Sequence, residues 1–261
     1  MSLRFLSVVM VLATASASVA AAVPLRFCAD PDNLPFSNRA MRGFDNRIAA
    51  VVARELHRKP QFVWVRNGRG FLRATFNKNA CDVLTGVPEK MRGVLTTVPY
   101  YRSAYVFVNR RRDGFEIASF SDPHLNGRRI GLQVLEDNLS PPSLALIRTG
   151  HAAQMVGFKS FGADGPKIVR AVADGQSGAA VVWGPLAGYF IRLDRLPLKM
   201  TPVSPLVDTS GVPFAFSIAM AVHKQDAQLR DQLDEALNRS RSSIVRILAE
   251  YNVPTLPEEG R

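Results

Sequence analysis

The sequence predicts an α/β protein built as two lobes. Strand and helix periodicities alternate between residues 25 and 85 and again between 129 and 183. Between them, the apolar strand 103–108 runs into Arg110-Arg111-Arg112, a polar break that marks a lobe boundary.

The first strand is 25–29, and a Pro- and Asn-rich turn follows it. Residues 44–57 then carry Phe44, Ile48, Val51, Val52 and Leu56 at helical spacing, so one helix face is buried. Residues 61–65 alternate around Phe62 and Trp64 as a strand, and 70–77 read as a helix through Phe71, Leu72, Ala74 and Phe76. A strand is expected from Cys81 to Thr85. Strand, helix, strand, helix, strand in this order predicts a parallel sheet with right-handed crossovers. Residues 94–101 lead to the strand 103–108. The second unit opens with a strand at 129–134, then a helix near 142–150, a strand at 155–158, a helix at 166–173 and an apolar strand at 179–183. Residues 214–222 form a last strand. Helices follow through 226–249, with Leu229, Leu233, Ala236, Leu237, Ile244, Ile247 and Leu248 on their buried faces.

The chain has 261 residues, 47% hydrophobic and 21% charged, which is globular composition and excludes disorder. Arg4, the apolar run 5–13 and the small residues 15–22 read as a secretory signal peptide over 1–22, with cleavage near Ala20 or Ala22. The run is too short to span a bilayer before Pro24 and Arg26, and no later segment offers about 20 uninterrupted apolar residues. The protein is therefore expected to be exported and not membrane-spanning. In an oxidising compartment, Cys28 and Cys81 are expected to form a disulfide stabilising the fold by roughly 4 kcal/mol, the alternative being two buried thiols. His57, His124, His151 and His223 lie far apart without metal-ligand spacing, so neither metal nor cofactor is expected. The formal charge of +11 suggests nucleic acid as a partner, but export and dispersed basic residues argue against it. A solvated face is the plain reading, and steering toward an acidic protein or membrane surface the sharper one.

Leu34-Pro-Phe36, Gly43-Phe-Asp45, Cys81-Asp-Val-Leu-Thr-Gly86, residues 97–108 and Ser217-Ile-Ala-Met-Ala-Val-His-Lys224 together resemble the bacterial extracellular solute-binding proteins, family 3. The resemblance implies a type II periplasmic-binding-protein fold with two crossing hinge strands. Lobe 1 would comprise 23–109 plus 215–261 and lobe 2 would comprise 110–214, with ligand bound in the cleft between them. A narrower resemblance rests on Cys28-Ala-Asp-Pro-Asp-Asn-Leu-Pro-Phe-Ser-Asn38, Gly43-Phe-Asp-Asn-Arg-Ile-Ala49, Arg69-Gly-Phe71, Cys81-Asp-Val83 with Gly86-Val-Pro88, and Leu95-Thr-Thr97. Pro99-Tyr-Tyr-Arg-Ser103 and Tyr105-Val-Phe-Val108 extend it. These residues are similar to the MxaJ/XoxJ type of solute-binding-like accessory protein in methanol oxidation. That resemblance implies a periplasmic, non-catalytic protein. Its partner would be a pyrroloquinoline quinone (PQQ)-dependent methanol dehydrogenase, with its cytochrome c, which it assists or activates.

An amino-acid receptor buries an Arg for the ligand carboxylate and an acid for its ammonium, because unpaired charges are costly away from water. Neither Lys90 nor Arg92 is placed for the first role, the second-lobe turn 135–142 is acidic and Pro-blocked, and no acid stands near Trp183-Gly-Pro185. Asp30, Asn33, Phe36, Arg42, Tyr100, Tyr101, Tyr105 and Trp183 remain as cleft candidates. Their aromatic rings would either grip a flat or apolar solute, as in a transport receptor, or fill a cleft that no longer opens. No nucleophile–base pair or carboxylate pair is visible, so no catalytic residue is expected.

Overall fold

The computed structural model describes residues 23–68, 70–134 and 140–257; the expected leader and most of the 135–142 turn lie outside them. In chain order the elements are β1 (Leu25–Ala29), β2 (Asp32–Asn33), β3 (Ser37–Asn38), α1 (Phe44–Glu55), β4 (Pro60–Trp64), α2 (Phe71–Ala74), β5 (Val83–Pro88), β6 (Leu95–Thr96) and β7 (Tyr101–Arg110). The second arm contains β8 (Ile130–Gln133), α3 (Pro141–Arg148), β9 (Met155–Phe158), α4 (Lys167–Ala173), β10 (Ala179–Trp183), α5 (Gly184–Leu193) and β11 (Leu198–Pro202). The chain closes with β12 (Ala215–Val222), α6 (Ala227–Arg239) and α7 (Arg241–Glu250).

The main path of strands runs β4-β1-β5-β12-β7-β10-β8-β9. β1 pairs in parallel with β4 and β5, and β8 pairs in parallel with β10 and β9, as strand–helix–strand order requires. β7 and β12 are the two strands that cross between the arms. The first half of β7 pairs with β12, with Tyr101 opposite Ile218 and Ala104 opposite Ala215. Its second half pairs with β10, with Tyr105 opposite Trp183. Nine consecutive residues of β7, Tyr101 to Asn109, are buried because both faces of the strand are covered along its length.

Separate hydrophobic clusters fill the two arms. Phe27, Phe44, Ile48, Val52, Val83, Leu233 and Ile247 belong to one, and Phe107, Ile130, Leu146 and Val181 to another. Each such side chain contributes about 1.5–3 kcal/mol by leaving water. On α1 the helical spacing read in the sequence is the buried face, with Phe44, Ile48 and Val52 fully enclosed.

Cys28 and Cys81 are disulfide-bonded, their Cα atoms 5.5 Å apart across 53 residues of sequence, so the pairing expectation is met. Two readings of the sequence need correction, and two elements were not anticipated. The helix expected over 70–77 is a single α-turn, α2, and the next turn, Phe76–Lys78, is 3-10, because the chain turns sharply at Thr75. The strand expected from Cys81 begins at Val83, since Asp82 is held by the Arg26 backbone and side chain. No helix was expected after Trp183, yet Pro at the first helical turn costs no hydrogen bond, and α5 starts there. β11 was not anticipated; it pairs along β7 at Leu198–Pro202 and ends in the proline that an edge strand tolerates.

Candidate functional site

The turn after β1 is fixed by its own polar groups and by α1. Asp30 is 5% exposed. Its carboxylate accepts the Asp32 amide at 2.8 Å and the Asn67 amide at 2.6 Å, while the Ser37 hydroxyl donates to its carbonyl at 2.8 Å. The first amides of α1 need acceptors outside the helix. Phe44 N–H donates to Pro35 O and Asp45 N–H to Phe36 O, which folds the turn onto the helix. Gly43 is required at this contact, because a Cβ there would lie 2.1 Å from Phe36 O.

This arrangement floors a cavity of about 700 Å³ at the carboxyl ends of β1 and β5, the position where open α/β sheets place ligands. Five of the eight candidates line it: Asp30, Asn33, Phe36, Tyr101 and Trp183. Trp183 reaches it from the other arm. Its backbone N–H donates to the Gln133 side chain at 2.6 Å, and its ring meets Tyr105 edge-on at 5.4 Å.

The other three candidates sit elsewhere. Arg42 is exposed, with its amide on the Asn38 side chain and its carbonyl accepting the Tyr251 hydroxyl at 2.6 Å. Tyr105 is packed behind Trp183 in the second-arm core, and burial pushes its phenol up to about 12. Tyr100 lies behind the cavity wall. It accepts the Gly86 amide at 2.9 Å and donates to Asp45 Oδ1 at 2.9 Å, and burial next to Asp45 raises its phenol well above the ordinary value.

Asp45 is the residue that sequence reasoning passed over, although Gly43-Phe-Asp45 was in view. A carboxylate in the first turn of a helix is an ordinary surface feature, and nothing local announces its burial. Here it is 5% exposed and lines the cavity, and desolvation pushes its carboxyl up to about 7 against the Tyr100 hydrogen bond, which lowers it. Gly86, with φ +69°, makes room for it: a Cβ there would come 2.8 Å from Asp45 Oδ2. Thr85 and Asn67 also line the cavity.

Lys90 and Arg92 do not line the cavity, and Arg73, the basic residue that does among those described, is exposed. No acid follows Trp183, where α5 begins. The cavity therefore lacks, among the described residues, the buried cation that an amino-acid carboxylate needs. Nor do three or more His, Cys, Asp or Glu side chains converge anywhere among those residues. No helix among them is long and apolar enough to cross a membrane.

Two α/β arms joined by crossing strands, with a cavity at the strand ends, define the architecture of a solute-binding protein. The family model for bacterial extracellular solute-binding proteins, family 3, matches residues 25–253, and the chain belongs to that family. It is 34% identical over 265 residues to Protein MoxJ of Methylorubrum extorquens, covering 94% of this chain and 87% of that protein. Among solved structures, MxaJ from Methlophaga aminisulfidivorans MPT superposes with a TM-score of 0.80 at 28% identity, covering 89% of this chain and 100% of the other. The periplasmic binding protein XoxJ from Methylobacterium extorquens AM1 gives 0.75 at 30% identity, with 90% and 100% covered. The resemblance to MxaJ/XoxJ-type binding proteins, first carried by residues 28–108, thus extends over nearly the whole chain.

Proposed function

We propose that this protein is a non-catalytic periplasmic accessory protein, exported by its leader, that docks on a PQQ-dependent methanol or alcohol dehydrogenase and assists or activates it. The similarity to MoxJ over 94% of the chain carries this reading. The lack, among the described residues, of a buried cation for an amino-acid carboxylate supports it, by removing the usual cargo of the family. A docking protein without chemistry of its own acts by binding one conformation of its partner better than another. The +11 charge gives such docking an electrostatic component that salt screens.

The test is co-sedimentation of the purified protein with the dehydrogenase at low and high salt, with alcohol turnover measured in parallel. Association at low salt that weakens with added salt and raises turnover is the expected result. Neither association nor a change in turnover, or capture of transporter components alone from periplasmic extract, would overturn it. A transporter's binding protein for an apolar or aromatic solute is the second reading, favoured by the rings of Phe36, Tyr101 and Trp183 around the cavity. Calorimetric binding of such a solute with a gain in thermal stability would support that reading.

A further inference from the structure

The cavity's charge runs against that of the whole molecule. The chain carries 33 Lys and Arg against 22 Asp and Glu, yet the buried ionisable side chains facing this hollow include two carboxylates, Asp30 and Asp45. Neither has a cationic partner among the described residues, and the basic residue lining the cavity, Arg73, is exposed to solvent. The two acids are not equivalent. Both oxygens of Asp30 hold backbone amides, so its work is to shape the turn. Asp45 uses Oδ1 for Tyr100, and Oδ2 has no hydrogen-bond partner among the described residues and is not sealed off from solvent. A carboxylate this deeply buried, with one oxygen unspent beside a roomy cavity, is stabilised by a cation that brings its own hydrogen-bond donors.

The remaining walls narrow the class of cation. Phe36, Tyr101 and Trp183 line the same hollow, and ring faces attract ammonium groups while covering apolar carbon. A bare divalent ion needs six or more oxygen ligands in a tight shell, which a cavity of about 700 Å³ walled by rings does not supply. We propose that the cavity binds a small organic cation, an alkylammonium seated on the Asp45 carboxylate and enclosed by Phe36, Tyr101 and Trp183. This ligand is separate from the docking reading and stands or falls without it.

Isothermal titration calorimetry on the mature protein tests it, with phenethylammonium as the probe and 2-phenylethanol as its neutral counterpart. The ammonium is expected to bind at least about tenfold more tightly than the alcohol, the scale of a buried charge-assisted hydrogen bond. Asp45→Asn keeps the shape and the Tyr100 acceptor, and it should erase the discrimination while unfolding stays cooperative. Trp183→Leu should weaken the ammonium by about tenfold, the scale of one desolvated cation–π contact. No binding of the ammonium at millimolar concentration, equal binding of ammonium and alcohol, or discrimination that survives Asp45→Asn would each overturn the proposal. Equal binding would favour an apolar solute site instead.

Discussion

The rings of Tyr189 and Tyr251 stack with centroids 5.6 Å apart and 18° between their planes, joining α5 of the second arm to the end of α7. Neighbouring groups reinforce the join. Asn252 Nδ2 donates to Gly188 O at 3.0 Å, and the Arg192 guanidinium caps the Ala249 and Glu250 carbonyls at 3.1 and 2.9 Å. Gly188 permits the close approach: a Cβ there would meet Asn252 O at 2.0 Å. Gly188→Ala should therefore destabilise the protein by about 1–3 kcal/mol, since the overlap outweighs alanine's better helix propensity. A urea midpoint equal to or above that of the parent would contradict this.

The raised carboxyl of Asp45 sets a pH dependence. Its folded value of about 7 lies above the unfolded one, 3.8, so between these values the folded state holds a proton that the unfolded chain has lost. Stability from this group is fully present below about pH 4 and is lost as pH rises through 7, by roughly 4 kcal/mol at most. Tyr100 and Tyr101 interact with it directly, and Asp30 and Arg73 are the other charged residues lining the cavity among those described. Asp45→Asn should raise stability at pH 8, change it little at pH 4, and flatten the slope between, as read by urea unfolding at both values. If an alkylammonium binds as proposed, the wild type should also release a proton at pH 7, visible in calorimetry across buffers of different ionisation enthalpy.

Tyr100 couples this acid to the β5 backbone. Tyr100→Phe removes both the hydrogen bond to Asp45 and the acceptor of the Gly86 amide. Taking a partner from the buried Asp45 carboxyl costs about 1–3 kcal/mol, while the exposed Gly86 amide can turn to water. The loss should be larger at pH 8 than at pH 5, because the carboxylate is the form the hydroxyl stabilises. An equal loss at both pH values would show that the hydroxyl supports only Gly86.

The disulfide ties β1 to the loop entering β5, and the same loop is held by His223, whose Nε2 lies 3.0 Å from Cys81 O while its ring stacks on Phe76 at 3.9 Å. Replacing Cys28 and Cys81 together with alanine should lower the unfolding free energy by roughly 4 kcal/mol, the entropy of closing a loop of this length. A loss below about 1 kcal/mol would show that the hydrophobic neighbours alone hold the cavity floor.

Local sequence determined a good deal of this protein. The spacing of Phe44, Ile48 and Val52 specifies α1, the apolar runs at 103–108 and 179–183 specify β7 and β10, and two cysteines in a chain expected to be exported pointed to their pairing. These signals are legible because periodicity, capping and covalent chemistry act over a few residues or admit one partner. Tertiary structure decided the rest. It moved Arg42, Tyr100 and Tyr105 out of the cavity and brought in Asp45, Thr85 and Asn67. The burial of Asp45 comes from a turn residue nine positions before it, a glycine on β5 and a tyrosine 55 residues away meeting at one point. α5 escaped notice for a similar reason, since Gly184 and Gly188 lie against Pro254 and Asn252, which only the completed fold brings near. Desolvation belongs to the assembled structure, and no helical or strand period encodes it.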